Sequence, residues 1–215
     1  EDYGDSNQED EYQYDDQMEE EKEMFEEIPS LTKQKSVTFV TLNDIKIIIK
    51  DKIQQVSELL GIKEDDALIL LSHFKWRKDL IESEWFGNET SISKKAGLEP
   101  VERVALNKAP QALCPMCFDT KPQSEFENLK CNHQICQECW REYLHFNVTR
   151  PENIFFWKCP FQGCNMVVPD SFNQRYLDSN LLPNYHKKMA SAYAERSKSL
   201  RWCPAPGCEY GVEVP

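Results

Sequence analysis

The feature that most constrains this chain is the placement of its cysteines. All nine lie between Cys114 and Cys208, and the first seven combine with one histidine into four close pairs. The run reads Cys114-x2-Cys117-x13-Cys131-x-His133-x2-Cys136-x2-Cys139-x19-Cys159-x4-Cys164. A secreted disulfide scaffold would spread its cysteines along the chain and favour an even count. An odd number in Cys-x-x-Cys pairs beside a histidine reads instead as thiolates held by zinc in a reducing compartment. Seven thiols and one imidazole make two tetrahedral zinc sites, and each close pair comes from a single turn, which lowers the entropy of gathering four ligands. We therefore expect a cytosolic or nuclear zinc protein.

The pairs can be joined in two ways. Neighbouring pairs would give two independent fingers, whereas alternate pairs would make the two ions brace each other. A lone histidine in the second pair is the pattern of a cross-braced RING, with Cys114, Cys117, Cys136 and Cys139 on one ion and Cys131, His133, Cys159 and Cys164 on the other. Spacing alone leaves both arrangements open. Cys203 and Cys208, in Trp202-Cys-Pro-Ala-Pro-Gly-Cys, repeat the four-residue gap and supply half of a third site. The expectation is a segment cut inside a third zinc unit, so that a longer chain holds more than two ions. His73, His145 and His186 have no ligand partner at suitable spacing and read as surface or cap residues.

Charge separates the two ends of the chain. The net charge is −12, and the first 27 residues hold fourteen acids against Lys22 alone, so the remainder is near neutral. Residues 1–30 are too charged and too poor in aliphatics to offset ordering entropy, and read as a disordered acidic tail. A near-neutral remainder lacks the clustered basic surplus of a phosphate-tracking nucleic-acid binder. No apolar stretch approaches the ~20 residues of a membrane span, and no basic-then-apolar leader is present.

Between the tail and the cysteines, residues 31–99 read as a three-helix bundle. Ile45, Ile48, Ile49, Ile53, Val56, Leu59 and Leu60 recur at three- and four-residue steps, and Gly61 is placed to stop the helix. Glu64, Asp65 and Asp66 favour the start of a second helix bearing Leu68, Leu71 and Phe74, and Leu80, Ile81 and Trp85 supply a third. Residues 100–113 read as a linker. Residues 169–201 turn helical again, with Pro183 suited to a first turn and Tyr185, Met189 and Tyr193 forming a packing stripe.

At these residues the sequence resembles the Ariadne branch of the RING-in-between-RING ubiquitin ligases. Three features carry the resemblance: the x19 spacer closing on Cys159-Pro-Phe-Gln-Gly-Cys164, the segment Leu200-Arg-Trp-Cys-Pro-Ala-Pro-Gly-Cys208, and Ala67-Leu-Ile-Leu-Leu-Ser-His-Phe-Lys-Trp76 followed by Glu84-Trp-Phe86. The implied fold class is mainly α with a small zinc-stapled α+β domain. In it a ubiquitin-associated-like bundle is followed by a first RING (114–168), a linker helix and the start of an in-between-RING domain (202–215).

The resemblance implies that the RING recruits a ubiquitin-loaded conjugating enzyme. A cysteine on a second RING, beyond Pro215, then accepts ubiquitin and passes it to a substrate lysine. Contacts to the conjugating enzyme carry over to Met116, Pro160 and Phe161. Ordinary RING ligases place Arg or Lys just after the last ligand, where it holds the thioester ready for attack; here that residue is Asn165, which cannot form the same charge-assisted clamp. Leu60-Gly61-Ile62 replaces the Met-Gly-Phe type of loop that binds ubiquitin. The family instead associates such bundles with the ubiquitin-like modifier carried by cullins. It also links the helix at Pro183–Leu200 to a second, regulatory ubiquitin. The competing reading is a non-enzymatic scaffold that binds ubiquitin-like proteins.

Overall fold

A computed structural model describes residues 38–151, 156–197, 199–203, 205, 208 and 210–213; the acidic segment 1–30 lies outside the described residues. The first helix shows how local chemistry sets its ends. Thr41 takes an extended N-cap conformation and its hydroxyl accepts from the Asp44 N–H, while the Asp44 carboxylate accepts from the Thr41 N–H at 2.8 Å. This reciprocal capping satisfies two donors that would otherwise lack partners. Helix α1 (Leu42–Leu60) then runs until Gly61, whose φ of +64° forms the left-handed cap. Helices α2 (Glu64–His73) and α3 (Lys78–Ala96) complete the bundle, with Ile45, Val56, Leu70, Leu71 and Ile81 almost wholly buried between them. Helix α3 is longer than its apolar pattern suggests, because it continues through a kink at Asn88 to a second cap at Gly97.

The cysteine-rich part is built from very short elements. Strand β2 (Gln111–Leu113) pairs antiparallel with β3 (Thr120–Pro122), and β4 (Phe126–Glu127) with β5 (Ile135–Cys136), which leads into helix α4 (Gln137–Thr149). Strand β2 thus occupies the last three residues of the segment read as a linker, because its partner strand lies beyond the first cysteine pair. Helix α5 (Asp170–Tyr176) follows, then α6 (Leu182–Arg196), with Pro183 in its first turn. Tyr185, Met189 and Tyr193 are buried, so the stripe on α6 is packing. None of the described helices is long and apolar enough to cross a membrane.

Helix α6 packs on α1 and α4, and Tyr193 meets the Trp76 ring edge-on at 4.9 Å. A polar knot lies where α2, α5 and α6 converge. The Tyr185 hydroxyl donates to Asp170 at 2.5 Å, Asn173 donates to that hydroxyl at 3.2 Å, and the Ser171 N–H donates to Asp65 at 2.9 Å. The third sheet joins distant parts of the chain. Strand β1 (Thr38–Thr41) pairs with β7 (Tyr210–Glu213), which also pairs with β6 (Leu200–Trp202), giving the order β1-β7-β6.

Candidate metal centres

Two hairpins and one helix start bring the ligand candidates together. Cys114 and Cys117 lie in the turn between β2 and β3, closed by Cys114 N–H to Asp119 O and Phe118 N–H to Cys114 O, both at 2.9 Å. Cys136 ends β5 and caps α4, which carries Cys139 in its first turn. Cys131 and His133 precede β5 in a loop where Asn132 takes a φ of +63°, tied by its side-chain amide to the Val104 carbonyl at 3.0 Å. Cys159 and Cys164 bracket the last loop, held by Cys159 N–H to Met166 O at 2.7 Å and turned by Gly163 at φ +78°.

The result is two groups of four. The ligand atoms of Cys114, Cys117, Cys136 and Cys139 lie within 4.8 Å of one another, and so do those of Cys131, His133, Cys159 and Cys164. The first pair is therefore joined to the third and the second to the fourth, which spacing had left open. Each group could hold a metal ion. Cys114 Sγ and Cys139 Sγ are 3.9 Å apart and Cys117 Sγ and Cys136 Sγ 4.0 Å, far beyond disulfide length. Four sulfurs about 2.3 Å from one tetrahedral ion would sit roughly 3.8 Å apart, so the donor set fits zinc. His133 presents Nδ1 at 3.7 Å from Cys159 Sγ, and its ring stacks on Phe161 at 4.0 Å.

The thiols perturb one another strongly. Burial opposes ionisation of Cys114, yet hydrogen bonds from the Cys136, Cys117 and Met116 N–H groups bring it down to about 6. The hydrogen bond with Cys159 is the largest influence lowering Cys131 to about 5, with the His133 N–H adding to it. Their neighbours respond in the opposite sense. Burial, and then hydrogen bonding to Cys136, pushes Cys139 up; hydrogen bonding to Cys131, and then burial, does the same to Cys159. Each group thus makes one thiolate easily and resists the next, the frustration that a divalent cation relieves.

Cys203 and Cys208 lie between β6 and β7 in the chain, with Cys203 N–H donating to Tyr210 O at 3.0 Å and Cys208 N–H to Ala205 O at 3.1 Å. Among the described residues neither joins a four-ligand group. Met116 and Phe161 each remain 43% exposed on the first and last ligand loops, with Pro160 half-buried beside Phe161. Trp140 is fully buried against Phe172. His73 and His145 are exposed and His186 half-buried, all outside both groups.

Asn165 has a use that sequence reading missed. Its amide donates to the Lys94 carbonyl at 2.6 Å and accepts from the Val101 N–H at 3.3 Å, tying the ligand domain to the end of α3. Gly97 permits this approach: its φ is +82°, and a Cβ there would lie 2.5 Å from the Asn165 carbonyl oxygen. The glycine itself was a visible signal, since it ends a helix; its partner lies 68 residues away. Leu60 and Ile62, in the loop compared with ubiquitin-binding loops, are partly buried and pack against the core.

Comparison with known proteins adds kinship to this geometry. Residues 49–83 match the family model described as the UBA-like domain of E3 ubiquitin-protein ligase ARIH1. The Arabidopsis thaliana protein named probable E3 ubiquitin-protein ligase ARI11 is 31% identical over 182 residues, covering 84% of this chain and 33% of that protein. ARI7 from the same plant, also named a probable E3 ubiquitin-protein ligase, is 28% identical over 86% of the chain and 33% of its own length. E3 ubiquitin-protein ligase dbl4 of Schizosaccharomyces pombe is 25% identical over 83% of the chain and 35% of its own length. The chain spans about a third of the length of the curated relatives it matches. Over more than four fifths of its residues, the chain belongs with the Ariadne, RING-in-between-RING group of proteins.

Proposed function

We propose that this chain is the recruiting part of a ubiquitin ligase, in which a cross-braced RING with two zinc ions binds a ubiquitin-loaded conjugating enzyme. The observation that carries this reading is the interleaving of two four-ligand groups, which leaves Met116 and Phe161 exposed on the first and last loops. The names of the relatives support the enzyme class. Zinc would be held by Cys114, Cys117, Cys136 and Cys139, and by Cys131, His133, Cys159 and Cys164. In such closed sites it supplies cross-links and no open coordination position.

The residues divide the work accordingly. The two loops offer apolar side chains to a shallow groove, Met116 adapting its shape to it. The seven ligand thiols and the imidazole are committed to metal, so the nucleophilic cysteine that accepts ubiquitin belongs to a second RING outside these residues. Asn165 is committed to the end of α3 and offers no cation to a bound thioester. Ubiquitin would therefore pass to the second RING rather than directly to lysine. Cys203 and Cys208 would open a third zinc unit in an in-between-RING domain, the bundle would be the candidate site for a modified cullin, and the protein would work in the cytoplasm or nucleus.

Replacing Met116 by Ala should weaken binding of the conjugating enzyme by about 1–2 kcal/mol, as for a central interface residue. Zinc content should stay at two ions per chain, measured by elemental analysis beside calorimetry. Unchanged affinity in a fully metallated variant would overturn the recruiting surface.

A further inference from the structure

Phe161 touches three of the four ligand candidates in the second metal group. Its ring lies flat on the His133 imidazole, with centroids 4.0 Å apart and planes 10° from parallel. Its backbone N–H hydrogen-bonds the Cys159 sulfur, and its carbonyl accepts from the Cys164 N–H at 3.1 Å. An imidazole binds a metal through a lone pair in the plane of its ring, so the ring must be turned as well as placed. Such ligands are ordinarily held by a hydrogen bond to the other ring nitrogen. His133 turns Nδ1 toward Cys159 Sγ at 3.7 Å, and no hydrogen bond to its Nε2 is found among the described residues. The four ligands of the first group are all thiols, which have no ring plane to fix. At 43% exposed, Phe161 is too open to be a core side chain, yet its ring has one defined neighbour.

We infer that Phe161 is a positioning residue for the second metal group: stacked on His133, it fixes the plane of the imidazole so that Nδ1 meets the ion. The inference rests on the two-zinc reading proposed above, and it gives a second role to a side chain read so far only as a partner contact. Aromatic rings in contact hold a preferred mutual geometry, and here the loop that carries one of them is itself tied at Cys159 and Cys164. For His133 to swing off an ion, it must displace the ring above it. The stack also covers one face of the ligand with apolar surface and keeps water from it. Truncating Phe161 therefore removes a partner contact and loosens a ligand together, so partner affinity alone does not separate the two.

The test is metal retention by the whole chain with no partner added. Transfer of zinc to an excess of a chromogenic chelator should show one ion leaving about tenfold faster from Phe161→Ala than from the unmodified chain, the lower end of the cost of losing a group that orients a ligand. Phe161→Tyr keeps the stack and should restore the slow rate, whereas Phe161→Leu keeps apolar bulk without a ring plane and should not. Cobalt(II) in place of zinc reports the geometry directly. The visible bands of its site with three sulfurs and one nitrogen should shift in Phe161→Ala and Phe161→Leu and hold their position in Phe161→Tyr. In a His133→Cys background there is no plane to fix, so adding Phe161→Ala should change neither rate nor spectrum. Unmodified rates in Phe161→Ala would overturn the inference, and so would Phe161→Leu retaining metal as well as Phe161→Tyr. An equal acceleration in the His133→Cys background would make the ring a packing residue of its loop and overturn it too. If Phe161→Ala takes up fewer than two ions, the comparison of Phe161→Leu with Phe161→Tyr decides in the same way. An unmodified chain that holds no zinc would instead sink the two-zinc reading itself.

Discussion

The bundle and the ligand domain fill their interiors differently. In the bundle the fully buried side chains are aliphatic, Ile45, Val56, Leu70, Leu71 and Ile81, carried on helices of ten to nineteen residues. In the ligand domain Cys114, Cys131 and Cys136 are as deeply buried, beside Ile135, Trp140 and Leu144, and the strands are two or three residues long. Apolar burial near 25 cal/mol per Å² sustains the first kind of structure without help. Strands this short leave too little regular structure for independent stability, so ligand bonds must supply the difference. The contrast teaches which perturbation each region should feel.

The largest effect should follow removal of the metal. Structural zinc contributes on the order of 10–16 kcal/mol, as much as the whole stability of a typical domain. A strong chelator, or Cys131→Ser, should abolish amide protection across residues 114–168 while α1 to α3 keep theirs, as followed by hydrogen exchange. Loss of protection in both regions in one step would break the comparison and show a single cooperative unit. Zinc still bound at two ions per chain in Cys131→Ser would contradict the ligand set.

The seam between the regions gives a smaller effect. Gly97→Ala places a Cβ against Asn165 and Val167 at a left-handed position, and should cost about 1–3 kcal/mol as an overpacking and backbone change. Gly61 has a similar positive φ, and a Cβ added there would meet nothing within 4 Å, so Gly61→Ala is the control that carries the backbone cost alone. Equal costs in denaturant melts would mean that the contact across the seam contributes nothing.

The smallest effect concerns pH, and its sign opposes that of the metal sites. Burial raises the Asp170 carboxyl above its ordinary value, even though Tyr185 and Gln174 donate to it. Because the folded pKa exceeds the unfolded one, the folded state binds more protons in the window between them. That contribution favours the fold at low pH and fades as pH rises from about 4 through the raised value. Thiolate ligands do the reverse, since protonation in acid competes with zinc. Subtracting the stability curve of Asp170→Asn from that of the unmodified chain isolates the carboxyl, and the difference should move in favour of the unmodified chain as pH falls. A difference that moves in favour of Asp170→Asn would assign the shift the wrong direction.

The sequence exposed what is encoded by near neighbours. Helix α1 was legible because its apolar residues recur at helical steps and Gly61 ends it, and α6 because Pro183 opens it. The ligand candidates were legible because Cys and His pairs two to five residues apart have few other uses. How the pairs join was not, since it depends on β4 and β5 carrying Cys136 back to Cys114. Asn165 looked like a missing cation and proved to be a tie to Lys94, 71 residues earlier. The polar knot of Asp65, Asp170, Asn173 and Tyr185 was equally hidden, because its members share no period.

The pairing of β1 with β7 has a consequence for the order in which the molecule can be completed. Thr38–Thr41 is made early in synthesis, yet its partners, Tyr210 to Glu213, are made after both ligand groups, α5 and α6. At about 5–20 residues per second the wait is roughly ten to thirty-five seconds. Throughout that interval Thr38, Phe39, Val40 and Thr41 present an uncharged strand edge to every neighbouring nascent chain, and Phe39 stays 75% exposed even at the end. Closure of the sheet thus waits until the chain has been made as far as β7.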